Sequence, residues 1–117
     1  MVARRIIVFK DDFIKFYRSQ DYKVQQKIEY TLDLIRFERQ IPKKFFKYLE
    51  GTDGIYEIRV KTTFKDIRIL CFFDVAELVV LTNCFLKKTR KTPRRKIELA
   101  ERLRREYLWD KNKTHPK

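Results

Sequence analysis

Three apolar runs separated by very short links constrain this chain more than any other feature. Residues 55–61, 64–73 and 77–86 are rich in Ile, Val, Phe and Tyr, and they are joined at Lys61-Thr62-Thr63 and Asp74-Val75-Ala76. Links this short make consecutive strands antiparallel neighbours. Side chains alternate faces along a strand, so each polar residue can be assigned a side. In the first run Tyr56, Ile58 and Val60 point one way, and Glu57, Arg59 and Lys61 the other. With Arg59 opposite Arg68, the middle run places Arg68, Leu70 and Phe72 on the Glu57 face, and Ile67, Ile69, Cys71 and Phe73 with Ile58. Carried straight on, the alternation puts Val79, Leu81, Asn83, Phe85 and Lys87 beside Arg68, and Val80 on the Ile58 face.

The remaining elements follow from period and capping. Val24, Ile28, Leu32 and Ile35 recur every three or four residues, so 22–38 reads as an amphipathic helix, with Asp21 as its N-cap. Ile6 to Phe9 is a short strand, and Asp11 or Asp12 caps a short helix through Phe13, Ile14, Phe16 and Tyr17. Pro42 ends this region or opens a turn of helix through Phe45, Phe46 and Leu49; Gly51-Thr52-Asp53-Gly54 is a turn. A last helix starts at Pro93 with Thr92 as N-cap and turns Ile97, Ala100, Leu103 and Tyr107 inward. Residues 110–117 carry no core pattern and read as a frayed tail on a single domain spanning 1–109. The expected class is α+β: a small twisted antiparallel sheet built of a strand, helices, a three-strand meander and a C-terminal helix. The Ile58 face lies under helix 22–38, and the apolar half of the other face lies under the last helix.

Charge narrows the function. The formal net charge is +13, which destabilises a compact domain by self-repulsion and calls for a polyanionic partner: nucleic acid first, an acidic protein second, an anionic membrane third. No apolar run approaches the roughly 20 residues of a spanning helix. The four apolar residues after Met1-Val2-Ala3-Arg4-Arg5 are too few for a signal-peptide core, which points to the cytoplasm. Two cysteines, Cys71 and Cys84, placed at opposite ends of neighbouring strands, do not form a disulfide, and a single histidine, His115, leaves no ligand set for structural zinc. No cofactor is expected.

The charge is concentrated where the last strand ends. Residues 87–96 hold seven cations, Lys87, Lys88, Arg90, Lys91, Arg94, Arg95 and Lys96, and no acid. The plain reading of such a run is a solvated surface. A run that leaves a buried strand is instead held in place, and it borders the face bearing Arg59 and Arg68. Two arginines opposite each other repel unless an anion sits between them. Glu57 could be that anion within the protein, or a bound phosphate could be.

The segments Ile55-Tyr56-Glu57-Ile58-Arg59, Ile67-Arg68-Ile69-Leu70-Cys71-Phe72-Phe73 and Phe85-Leu86-Lys87-Lys88-Thr89-Arg90-Lys91-Thr92-Pro93 resemble the RelE/ParE toxin superfamily. Within it they are most similar to the phage-related HigB-like branch, over about residues 4 to 109. The resemblance implies a type II toxin that enters the ribosome, cleaves mRNA and is held inactive by an antitoxin, in HigB systems a helix-turn-helix protein of the HigA type. It assigns Arg59 and Arg68 to the scissile phosphate and puts Lys87, Lys88 and Lys91 where the family has further cations; on the chemistry of the residues themselves, Glu57 joins Lys88 and Lys91 as a further catalytic candidate. Lys61, Asn83, Lys87, Arg90, Arg94 and Arg95 become RNA contacts. Several relatives place a Tyr or His near the turn after the last strand, where this chain has Thr89-Arg90-Lys91-Thr92.

Cleavage of RNA without a metal uses the substrate 2′-OH as nucleophile. Alignment and electrostatic stabilisation supply most of the rate, and arginines suit that task because their forked donors stay charged. The two protons fall to Glu57, a lysine whose pKa its cationic neighbours depress (Lys88 or Lys91), or Tyr56 if the strand twists it outward. Two readings compete: a ParE-like inhibitor of DNA gyrase with the same fold, and an RNA-binding module without chemistry. Separately, the net charge predicts that an acidic or amphipathic antitoxin segment binds in a salt-dependent way.

Overall fold

A computed structural model describes residues 3–114. His115 and the end of the expected frayed tail lie outside the described residues. In chain order the elements are β1 (Arg5–Val8), α1 (Asp12–Arg18), α2 (Tyr22–Phe37), β2 (Phe46–Tyr48), β3 (Tyr56–Lys61), β4 (Asp66–Asp74), β5 (Leu78–Leu86) and α3 (Arg94–Thr114). One five-stranded sheet runs β1-β5-β4-β3-β2, with α1 and α2 on one face and α3 on the other. The class is α+β, as the patterning predicts. The sheet is mixed, because β1 joins β5 in parallel while every other pair is antiparallel. No partner for β1 is legible in its residues; β5 pairs with it across two intervening helices and three intervening strands.

Asp11 stands at the N-cap of α1 but its side chain accepts no capping hydrogen bond, in contrast to α2. The Asp21 carboxylate accepts the Val24 amide at 3.0 Å and caps α2, whose Val24, Ile28, Leu32 and Ile35 are buried. At its other end the Arg4 guanidinium donates to the carbonyls of Ile35, Glu38 and Arg39, a cation on the negative end of the helix. Beneath α2 lie Ile58, Val60, Ile67, Ile69 and Cys71, as the alternation predicts. Leu70, Phe72, Phe85 and Ala100 form the smaller core under α3.

Four sequence expectations are corrected. Residues 46–48 are an edge strand paired with β3, not a turn of helix: Lys47 lies opposite Glu57, and Gly51 and Gly54, both at φ 77°, turn the chain between the two strands. Val79 and Leu81 pack under α2, and Val80 packs under α3, the reverse of the expected assignment. The cause is a β-bulge. Cys71 pairs with Leu81 but Ile69 pairs with Cys84, so Thr82 and Asn83 together oppose Leu70 and the alternation flips there. The same register sets Cys84 opposite Ile69, two residues along β4 from Cys71, so the two cysteines are closer than opposite strand ends; both thiols are free and buried. Finally, the helix does not stop at Trp109. It runs to Thr114, tied down by the Lys111 ammonium, which donates to Asp74 at 2.8 Å.

Candidate functional site

Pairing of β3 with β4 sets Arg59 directly opposite Arg68, and both side chains turn toward the α3 side of the sheet with Glu57. The Glu57 carboxylate is 1% exposed. Its Oε1 accepts from Arg59 Nε at 3.1 Å and lies 3.5 Å from Arg68 Nε. Its Oε2 accepts from the Thr92 hydroxyl. One buried carboxylate thus sits between two guanidinium groups and offsets their repulsion. Arg68 also donates from Nη1 to the Asp66 carboxylate and to the Ile67 carbonyl, yet its buried Nε lacks a hydrogen-bond partner.

Thr92 explains how the cationic turn reaches this face. Leaving β5, the Lys87 amide donates to the Asp66 carbonyl at 2.7 Å, and the Thr89 hydroxyl donates to the Lys91 carbonyl at 2.6 Å. The first extends the β4–β5 pairing, the second closes the turn, and the Thr92–Glu57 bond ties the turn to the sheet. The Thr92 hydroxyl is spent on Glu57 and does not cap α3. The Pro93 carbonyl accepts the Ile97 amide instead, which makes Pro93 the capping position, one residue later than predicted.

The result is an open cleft of about 270 Å³ between the turn, β3 and β2. Lys47, Arg59, Lys87, Arg90 and Lys91 line it against the acids Glu50 and Glu57. Leu49 and Ile97 give it an apolar floor. Five cations against two acids favour an anionic ligand, and the half-buried Arg59 presents a forked donor there.

Not every predicted residue joins this group. Arg68 is 7% exposed and supports the cluster from behind, so it is not an exposed cation. Asn83 is buried, with its side-chain amide donating to the Lys96 carbonyl, and it braces the start of α3. Lys88 is exposed but does not line the cleft. Arg94 pairs with Glu98 along α3 at 3.7 Å, and Arg95 is exposed on the same turn of helix. Lys61 lines a separate depression with Phe64. Tyr56 stacks on Phe46 at 4.9 Å on the α2 side, so it cannot move protons in the cleft. The Cys71 and Cys84 thiols are pushed up by burial and are poor nucleophiles. Sequence reasoning missed Lys47; the alternation Phe46-Lys47-Tyr48 was the available signal.

Residues 15–105 match the family model described as phage-derived protein Gp49-like (DUF891). The chain belongs to this Gp49-like family. No curated protein matches it. Among solved structures it is similar to the archaeal RelE-RelB complex of Pyrococcus horikoshii OT3, with a TM-score of 0.56 and 17% identity over 77% of this chain and 100% of that one. The Gp49-like chain therefore shares the RelE fold. The matched segment holds Glu57, Arg59, Arg68, Thr92 and the whole cationic turn.

Among the described residues no helix is long and apolar enough to cross a membrane.

Proposed function

We propose that this Gp49-like protein is the toxin of a type II toxin–antitoxin system, of the HigB-like kind. In this reading it is a metal-independent endoribonuclease that cuts mRNA on the ribosome in the cytoplasm and is restrained by an antitoxin of the HigA helix-turn-helix type. The observation that carries the reading is the cationic cleft built around Arg59, with Glu57 and Arg68 fixing that arginine from behind.

The scissile phosphate lies against Arg59, with Lys87, Arg90 and Lys91 along the flanking backbone. The substrate 2′-OH attacks phosphorus, the bond from phosphorus to the 5′ oxygen breaks, and a cyclic phosphate is left on the upstream fragment. Glu57 takes the 2′-OH proton once substrate displaces the Thr92 hydroxyl, and Lys91 protonates the departing 5′ oxygen. Arg59 stabilises the charge that develops on the phosphoryl oxygens. Lys88, Arg94 and Arg95, outside the cleft, contact the RNA or ribosome beyond it. Lys61 and Asn83 take no part.

Primer extension on a reporter mRNA translated in a reconstituted system tests the proposal. Cleavage that requires both ribosomes and Arg59 is the expected result. Intact mRNA together with blocked DNA supercoiling by gyrase overturns it in favour of the ParE-like reading.

A further inference from the structure

At the opposite end of β3 from the cleft's acid, the β3–β4 hairpin carries a side chain whose placement the proposed chemistry does not use. Phe64 is 94% exposed. Single exposed apolar residues are common, so exposure alone decides nothing. Three further observations do. The turn that holds Phe64 is closed by its own hydrogen bonds: the Thr62 amide donates to the Lys65 carbonyl at 2.9 Å, and the Lys65 amide donates back to the Thr62 hydroxyl at 3.0 Å. The tip is tied to the rest of the molecule, because the Lys65 ammonium donates to the Gln20 side chain at 2.6 Å. A groove of about 560 Å³ separates this tip from the start of α2, with Phe64 and Val24 as its apolar walls and Lys23, Lys27 and Lys61 around it. The acid in the lining, Asp21, is engaged in capping α2.

We infer that this groove is the docking site for an acidic amphipathic segment of a protein partner, anchored on Phe64. The inference rests on the toxin reading and names the surface through which the restraining partner engages. Charge and donor geometry argue for this occupant. The groove's cations are all lysines, which act as point charges suited to single carboxylates; the forked arginines that match phosphate lie in the cleft. An aromatic anchor beside an apolar wall, rimmed by charge, is the arrangement that seats the apolar face of a helix. Docking here leaves the cleft uncovered, so restraint would come from keeping the protein off the ribosome.

The test is fluorescence anisotropy with the full chain. The probe is a roughly 16-residue helical peptide bearing Leu on one face and Glu on the other. The comparators are a scrambled peptide of the same composition and a short single-stranded RNA. The Leu/Glu peptide is expected to bind, and Phe64→Ala, which changes no charge, is expected to weaken it about tenfold or more. Lys23→Glu combined with Lys27→Glu should weaken it further and flatten its salt dependence. Circular dichroism on each variant checks that the fold is retained. Equal binding by Phe64→Ala, equal binding of the scrambled peptide, or a Phe64 dependence seen with RNA alone would each overturn the assignment. The two proposals fail separately. Phe64-dependent peptide binding by a chain that never cleaves mRNA removes the nuclease and keeps the groove. Cleavage by a chain that binds the peptide without Phe64 does the reverse.

Discussion

Two acid-centred clusters lie on the α3 side of the sheet, and they are built differently. At Asp74 the carboxylate accepts from the Tyr107 hydroxyl at 2.7 Å, the Lys111 ammonium at 2.8 and 2.9 Å, and the Val75 amide at 2.7 Å. Burial raises this carboxyl, but the hydrogen bonds from Lys111, Tyr107 and Val75 outweigh it and hold the group below its ordinary range. At Glu57 one carboxylate serves two guanidinium groups, and Arg68 Nε is left buried without a hydrogen bond. The first cluster uses its polar capacity within the fold and locks α3 to the β4–β5 hairpin. The second leaves cationic donors facing an open cleft. An ion pair that closes on itself is architecture, and one that leaves surplus charge beside a cleft is a candidate site.

The comparison breaks most visibly at Glu57. Glu57→Ala leaves the buried Arg68 facing the half-buried Arg59 with no carboxylate between them, and the fold is expected to lose about 3–5 kcal/mol, measured by urea unfolding. A loss under about 1 kcal/mol, the range of an exposed pair, would mean that the arginines do not need this acid. Arg59→Ala comes next and acts on function. Ribosome-dependent cleavage should fall on the order of 10²–10³-fold with the unfolding midpoint little changed. It is a cleaner probe than Arg68→Ala, because Arg68 is buried and holds Asp66 and Glu57.

The closed cluster should show the opposite pattern. Tyr107→Phe removes one hydrogen bond to a carboxylate, at a cost of about 1.5–3 kcal/mol, and leaves cleavage unchanged. Its pH dependence has a definite sign. Burial, and then the Asp74 bond, push the Tyr107 hydroxyl up to about 12 from 10.0. The stabilisation is therefore complete below pH 10.0 and is lost as pH rises toward about 12, because the unfolded chain ionises first. The gap between wild type and Tyr107→Phe in thermal melts should close across that window; a gap that widens would contradict the assignment. The smallest effect is expected at Lys88→Ala, outside the cleft. Cleavage should change by no more than a few-fold, against a clear loss for Lys91→Ala, and equal losses would enlarge the site beyond the cleft.

Much of this contrast was legible in the sequence, for reasons visible residue by residue. The short link and period-2 alternation leave few registers; Arg59 opposite Arg68 is one of them, a premise of the sequence reading, and the structure has that one. Helix α2, sixteen residues long, was legible because Val24, Ile28, Leu32 and Ile35 repeat at helical spacing along it. β2 has three residues, too few for a period to declare itself, and Phe45-Phe46 after Pro42 reads equally well as a helical turn. The burial of Arg68 was not legible, because it depends on what covers that face of the sheet and not on the strand's own pattern. Thr92 looked like a helix cap, since capping is the commonest local use of such a hydroxyl. Its bond to an acid 35 residues away has no local signature. The last turns of α3 lack a core pattern for a similar reason: Lys111 is anchored by Asp74, a residue on a different element.

The bulge at Thr82-Asn83 carries a consequence for how this family can diverge. The extra residue moves the downstream half of β5 onto the opposite parity, which brings Asn83 and Phe85 under α3 and leads the chain out toward the cleft. Deleting one residue there would turn Phe85 under α2 and send the cationic turn away from Glu57, with no change in composition or charge. Insertions and deletions should therefore be tolerated in the link after Gln40 and at the Gly51–Gly54 turn, and be absent between Leu81 and Cys84. Within β5 the count of residues, more than their identity, is what ties the heritable text to the cleft.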